Sequence, residues 1–304
     1  MKVFVTGGAG FVGSWVAEVL LKHGHQVTIL DNLSAGYREF VPKGAKLVVA
    51  DIRDKNLSKY LKGHDAVIHL AAKTVVPESV KDPEPTIDVN LFGGANLLEA
   101  MRKVGIKRIV FSSTAAVYGQ PKRLLVREDD LKFPINPYGA SKLAFEALLH
   151  SYCANYGWDV TMFRYFNPYG PRDQHRPETH AIANFIRSTL SGKPLPLYWG
   201  GRQRRDFFYI EDIAEAHVLG LKQKGFHYYN LGSGRPTRVI DIVKSIFKIT
   251  GKTVPIDDLG ERPGDPDTLS ADVSKVRREL GWKATTDLKI GLKKTIEWFV
   301  KESS

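Results

Sequence analysis

The stretch "VTGGAGFVGS" sets Gly7, Gly10 and Gly13 at three-residue spacing between the β-rich run "KVFVT" and the helical pattern "FVGSWVAEVLLKHG". Few folds accept three glycines there. A tight turn needs a residue without a Cβ, a pyrophosphate needs close approach to the backbone, and a helix N-terminus supplies free amides and a positive dipole end. Three glycines can also merely pack a turn against a sheet, but the strand-turn-helix context favours a dinucleotide site.

The rest of the first half keeps the same rhythm. "HQVTIL", "AKLVVA" and "DAVIHLAA" read as buried strands, a helix over about "TIDVNLFGGANLLEAMRKVG" leads into "IKRIVFSS", and a helix opened by "NPYGASK" precedes "WDVTMFRYF". Alternation of this kind with near-continuous apolar strands predicts an α/β fold, a Rossmann-type doubly wound parallel sheet covered on both faces. After Phe166 the pattern breaks up. "NPYGPRDQHRPETH" reads as loop, "AIANFIRSTLSG" and about 238–251 as helices, and the end as short helices. The expected division is a dinucleotide-binding domain over 1–168, with about 205–232 returning to it. Residues 169–204 and 233–304 then form a smaller C-terminal α/β substrate-binding domain.

At 304 residues the chain can bury a full core, and 43% apolar with 25% charged residues excludes a disordered or fibrous class. No apolar run approaches a membrane span, and "MKVFVTGGAG" lacks the features of a secretory signal, so a cytoplasmic location and no membrane partner are expected. The lone Cys153 rules out an intramolecular disulfide, and nine scattered His give no metal-ligand spacing. The net charge of +11 comes from Lys and Arg spread along the chain, which fits a solvated surface and an anionic small ligand better than nucleic acid.

Asp31 lies eighteen residues past Gly13, at the end of the second strand. A carboxylate there can take both hydroxyls of an adenosine ribose and repel a 2′-phosphate, selecting NAD over NADP; its alternative role is a turn. Asp51, after the third strand, can reach an adenine or serve a turn. Tyr138 and Lys142 are four apart, about 40° around a helix, and share a face. Tyr is a poor base near its ordinary pKa of about 10, so a nearby cation is one way to favour the phenolate. Such a pair also occurs on plain helix surfaces, but Ser112, Ser113 and Thr114 in "FSSTAAVYG" place hydroxyls at the sheet edge where they could hold a sugar alcohol.

Taken in order, "TGGAGFVG", "DNLSAG", "HLAA", "FSSTAAVYG", "YGASK", "RYFNPYGPR", "RRDFFYIEDIA", "YNLGSG" and "RPGD" resemble the extended short-chain dehydrogenase/reductases, the NAD-dependent epimerase/dehydratase family. Within it the chain is most similar to the UDP-glucose 4-epimerase group, over essentially all its length. The resemblance implies Tyr138 as base, Lys142 as the cation that holds the nicotinamide ribose and lowers the phenol's pKa, and Thr114 on the sugar hydroxyl. It implies an NAD site from Gly7, Gly10, Phe11, Val12, Gly13, Asp31, Asn32, Ser34, Ala35, Gly36, Asp51, Ile52, Leu70, Ala71, Ala72, Lys73, Asn90 and Ser112, with Tyr165 and Pro168 near the nicotinamide. Asn167, Arg205, Arg262 and Asp265 would hold the nucleotide diphosphate, and Leu197 and Tyr198 the uracil. It also implies a homodimer through helices near 86–104 and 137–156.

Related dehydratases carry Asp-Glu after the strand-end Thr because elimination needs an acid and a base, whereas here Ala115 and Ala116 follow Thr114. The Glu usual in decarboxylases is missing too. The expected reaction is therefore epimerisation at carbon 4 of a UDP-sugar through a transient 4-keto sugar. Epimerases for UDP-N-acetylglucosamine or UDP-glucuronate, or a nucleotide-sugar reductase, are the nearer alternatives. A non-catalytic nucleotide- or RNA-binding Rossmann protein is the alternative of another class. Leu269, seven residues past Arg262, falls where relatives vary in bulk and so choose between plain and N-acetylated sugars. Trp199-Gly200-Gly201 and the basic "RQRRD" depart from the group's usual pattern.

Overall fold

The computed structural model describes residues 1–174, 180–261 and 267–302. Seven strands form one parallel sheet: β1 (Lys2–Thr6), β2 (Gln26–Asp31), β3 (Lys46–Val49), β4 (Ala66–His69), β5 (Arg108–Thr114), β6 (Asp159–Tyr165) and β7 (Phe226–Leu231). Their order, β7-β6-β5-β4-β1-β2-β3, reverses direction between β1 and β4. In an open α/β sheet the crevice outside the strand ends at that reversal is where ligands bind. The glycine turn closes β1 at this place, and Leu70, Ala71 and Ala72 follow β4 beside it.

Strand alternation divides the core in two. Val3, Val5 and Ile29 point to one face, where they pack with Val16 and Leu20 of α1 (Phe11–Lys22) and with Ile213 and Ala216. Phe4, Val67, Ile109 and Phe111 point to the other face, against Leu97, Leu98 and Met101 of α2 (Gly94–Val104) and Phe145 and Leu149 of α3 (Pro137–Tyr156). The sheet is thus buried on both sides, as a parallel sheet requires. The helix Ile210–Gly220 packs on α1 and leads to β7, so the chain returns to the large sheet after leaving it.

Helix α3 carries the Tyr-Lys pair, and its start is strongly specified. The Asn136 side chain caps it by accepting the Gly139 amide at 2.8 Å, Pro137 sits at its first turn, and Gly157 ends it at φ 64. The region after Phe166 is more regular than the sequence pattern predicts. Asn167–Tyr169 is a short strand paired with Phe207–Tyr209, and four short strands around Arg204–Arg205 make a second sheet. These strands are two to four residues long, too short to show a period of two. The last helix, Leu288–Glu302, runs fifteen residues. Its many Lys obscure an apolar stripe through Leu292, Ile296 and Phe299.

Candidate active site

The cofactor crevice starts from the absence of side chains. Gly7 has φ 71, and a Cβ on it would lie 2.6 Å from the Ala71 amide nitrogen; one on Gly13 would lie 2.1 Å from the Gly7 carbonyl oxygen. Any larger residue at either place would push the turn, α1 and the end of β4 apart. Asp31 is buried behind this turn, its two oxygens accepting the amides of Ala9 at 3.0 Å and Leu33 at 2.8 Å. Burial raises its pKa, and those two amides oppose the rise. The carboxylate is therefore fixed by the turn it flanks. Gly36 packs against it; Asn32, Ser34 and Ala35 stand exposed at the rim.

Asp51 accepts bonds from Asn32 at 2.8 Å and from the Arg53 guanidinium, which holds its carboxyl below the usual range. Phe11 and Ile52 are buried, and Val12 packs on the core. The Leu70 and Ala71 amides face the Thr6 hydroxyl at 3.3 Å. A turn with no room for a Cβ, a helix N-terminus and a pre-set carboxylate are the donor set that a dinucleotide with free ribose hydroxyls requires, so these residues fit NAD.

Tyr138 and Lys142 lie one turn apart on α3 as expected. The Tyr138 hydroxyl faces that of Thr114, which closes β5 and accepts the Ala116 amide at 3.1 Å. The approach depends on Gly139, because a Cβ there would lie 2.6 Å from the Ala116 carbonyl oxygen. Burial pushes the Tyr138 phenol up to about 12, and the Thr114 bond works against this rise. Lys142 is buried, with its ammonium 2.9 Å from the Ser112 carbonyl and 4.8 Å from the centre of the Phe111 ring. Burial brings its pKa down to about 7, while the Glu146 carboxylate one turn further along α3 pulls it up.

On the substrate side, Asn167 and Pro168 lie on the short strand just past β6, Asn167 in register with Phe207. Arg205 is largely buried beside them and donates to the Arg204 carbonyl at 2.8 Å. Tyr198 is partly exposed, whereas the Leu197 side chain packs into the core and its carbonyl accepts the Leu259 amide at 2.8 Å, so Leu197 is not displayed to a ligand as the sequence reading expects. Arg262 and Asp265 lie outside the described residues.

With this arrangement in view, the comparisons are decisive. The sequence model of the NAD dependent epimerase/dehydratase family matches residues 3–232. The chain belongs to that family. A UDP-glucose 4-epimerase from Corynebacterium glutamicum is 41% identical, covering 95% of this chain and 93% of the relative. The structure of a UDP-glucose 4-epimerase from Thermotoga maritima with UDP-glucose superimposes with a TM-score of 0.95 at 34% identity over the full length of both chains. A UDP-N-acetylglucosamine 4-epimerase from Methanobrevibacter ruminantium M1, in complex with UDP-N-acetylmuramic acid, gives 0.94 at 33% identity, over 99% of this chain and 98% of that one.

Asn90 is expected at the NAD site from the resemblance alone, and the bonds it makes, like the roles of Ser79 and Glu146, follow from no spacing in the sequence. Asn90 sits in a π-helical stretch, Asp88–Gly93, and spends its amide on the Lys73 backbone at 2.8 and 2.9 Å and on the Ser141 hydroxyl at 3.0 Å. It ties the segment after β4 to the residue beside Lys142. Ser79 accepts the Tyr138 amide at 3.3 Å. Glu146 is chelated by Arg164 at 2.6 and 2.9 Å and accepts the Ser113 hydroxyl at 2.5 Å. For Glu146 a spacing hint was available: it continues the Tyr138, Lys142 spacing by another four residues.

Proposed function

We propose that this protein is an NAD-dependent UDP-sugar 4-epimerase that interconverts UDP-glucose and UDP-galactose. The observation that carries the reading is the Thr114 hydroxyl facing Tyr138, with Lys142 buried one turn along the same helix on the Ser112 carbonyl, and with Ala115 and Ala116 where an acid would otherwise stand. NAD would be held by the glycine turn, Asp31 and the segment after β4, and when bound it supplies the acceptor and donor of the hydride at carbon 4. The Thr114 hydroxyl orients the sugar's 4-hydroxyl and Tyr138 takes its proton. A phenol near 12 needs help to ionise: the Thr114 hydroxyl steadies the phenolate, and Lys142, one turn along α3 and bonded to the Ser112 carbonyl, is proposed as the cation that favours it. Asn167, Arg205, Arg262 and Asp265 anchor the nucleotide diphosphate, arginine being suited to bidentate contact. A sugar held by its diphosphate alone can turn, and Tyr138 then returns the proton with the opposite face presented.

A second reading, activity on N-acetylated UDP-sugars, has one observation in its favour. Leu269 pairs in parallel register with Arg205, so a side chain of middling size stands next to a residue of the proposed diphosphate site. The domain division is proposed as 1–168 with about 205–232 against 169–204 with 233–304, supported by the return of β7 to the large sheet. A homodimer through the helical segments near 86–104 and 137–156 is proposed from exposed Phe92 in the first and exposed Tyr156 in the second, and a holoenzyme sedimenting at the mass of one chain would refute it. The proposed location is the cytoplasm; among the described residues, no helix is long and apolar enough to cross a membrane.

The test mixes purified protein with UDP-glucose, UDP-galactose, their N-acetyl forms and UDP-glucuronate, without added NAD, and follows each by NMR. Interconversion of the first pair without net NADH is expected. Tyr138→Phe should retain NAD and lose nearly all turnover, by about a thousandfold or more on the scale of a positioned acid-base group. Near-normal turnover would remove Tyr138 from its role.

A further inference from the structure

His217 is fully buried in the middle of the helix Ile210–Gly220, has no charged partner among its recorded contacts, and is not required by the mechanism above. Its Nδ1 lies 2.9 Å from the Ile213 carbonyl, which can only accept, so the imidazole proton resides on Nδ1. Nε2 is then an acceptor. The Tyr165 hydroxyl, 2.7 Å away, must donate to it. Having given its own proton inward, the Tyr165 oxygen can only accept on its outer side, where Ser112 works against the raised pKa of Tyr165. The hydrogens of Tyr165 and His217 in the run to Ile213 therefore each have one assignable place.

The outer end of this run is the catalytic ground. Ser112 presents its carbonyl to the Lys142 ammonium at 2.9 Å, and two residues on is Thr114, paired in register with Tyr165 itself. Phe163 edges the imidazole at 5.2 Å and closes it from the sheet side. A leucine would fill the same volume without a polar atom to satisfy, and a buried polar group stabilises only when fully bonded. What the histidine adds is direction.

We propose that His217 is a positioning residue for the proton-transfer step: through Tyr165 it fixes the end of β5, and with it the carbonyl that holds Lys142 and the hydroxyl of Thr114. The proposal rests on the epimerase reading of Tyr138, Lys142 and Thr114. It assigns Tyr165 a task beneath the site as well as its expected place near the nicotinamide.

The test is a double-mutant cycle on the NAD-loaded enzyme with His217→Leu, Tyr165→Phe and the double variant, recording kcat, KM for the UDP-sugar, retained NAD and thermal midpoint. Each single change leaves one buried polar group unpaired and should lower the midpoint. The double change removes both and should restore much of it. If the pair positions the site, kcat falls by at least about tenfold in all three variants, the double being no worse than the worse single, while KM and NAD content stay near wild type. Recovery of kcat together with the midpoint in the double variant would show mere packing and overturn the proposal; so would independent, multiplying effects. Should His217→Leu not fold, Tyr165→Phe alone decides, because it removes one oxygen and keeps the ring: normal kcat overturns the proposal. Wild-type enzyme is the control that separates the two levels. If it turns over none of the UDP-sugars, the epimerase reading fails and the proposal falls with it. If it turns over while the cycle shows packing, the positioning role alone fails.

Discussion

At the scale of single residues the site is built against stability. Lys142 has its ammonium in a buried place whose pKa is brought down to about 7 from 10.5. Between those values the unfolded chain binds more protons than the folded one, so the wild-type protein gains stability as pH rises through that window; below it the burial penalty is present in full. Lys142→Met should therefore abolish turnover yet stabilise the fold, by roughly 1–3 kcal/mol near pH 6, less the loss of the Ser112 carbonyl's donor. The gain should fade as pH approaches about 10. Denaturant unfolding of both proteins at the two pH values checks this. A variant destabilised at low pH would mean that the ammonium is a net support of the fold rather than a cost borne for catalysis.

Among the elements, what could be read beforehand was what repeats or what forbids a side chain. The glycine turn, the alternating strands and the 3.6-residue period of α3 announce β1–α1, the parallel sheet and the shared face of Tyr138 and Lys142, because each is a local rule of backbone geometry. Asn90, expected at the site from the resemblance alone, and His217, not expected there at all, obey no such rule. Asn90 works because a π-helical stretch turns its amide toward Lys73 and Ser141, fifty-one residues away in the second case, and His217 because Ile210–Gly220 packs under the end of β6. Their roles are set by contacts between elements, which a single sequence does not encode in any spacing. The two- and three-residue strands past Phe166 were hidden for a related reason: they exist because other strands lie beside them. The expectation that Lys142 sets the Tyr138 ionisation is also refined by packing, since Thr114 touches the phenol and Lys142 bonds to Ser112.

For the whole molecule the question is what keeps the short strands of the proposed substrate site in step with the sheet. Asp206 answers it. Its fully buried carboxylate accepts five bonds: the Ser233 amide and hydroxyl at 2.6 Å each, the Gly234 amide at 3.1 Å, and the Ser270 hydroxyl and Ala271 amide at 3.0 Å each. Those partners come from the turn after β7 and from the strand Thr268–Ala271, which carries Leu269 opposite Arg205. One residue thus joins the end of the large sheet to the proposed diphosphate site. In Asp206→Ala five donors lose their acceptor at once; because such effects do not add, the expected loss of stability is about 3–5 kcal/mol rather than their sum. The same loosening should raise KM for the UDP-sugar by about tenfold or more and change kcat less, since binding through the diphosphate contributes similarly before and during the reaction. Ser270→Ala, which removes one donor and leaves four, should do little to either. A lowered thermal midpoint with unchanged KM in Asp206→Ala would confine Asp206 to holding the fold and separate the proposed diphosphate site from its control.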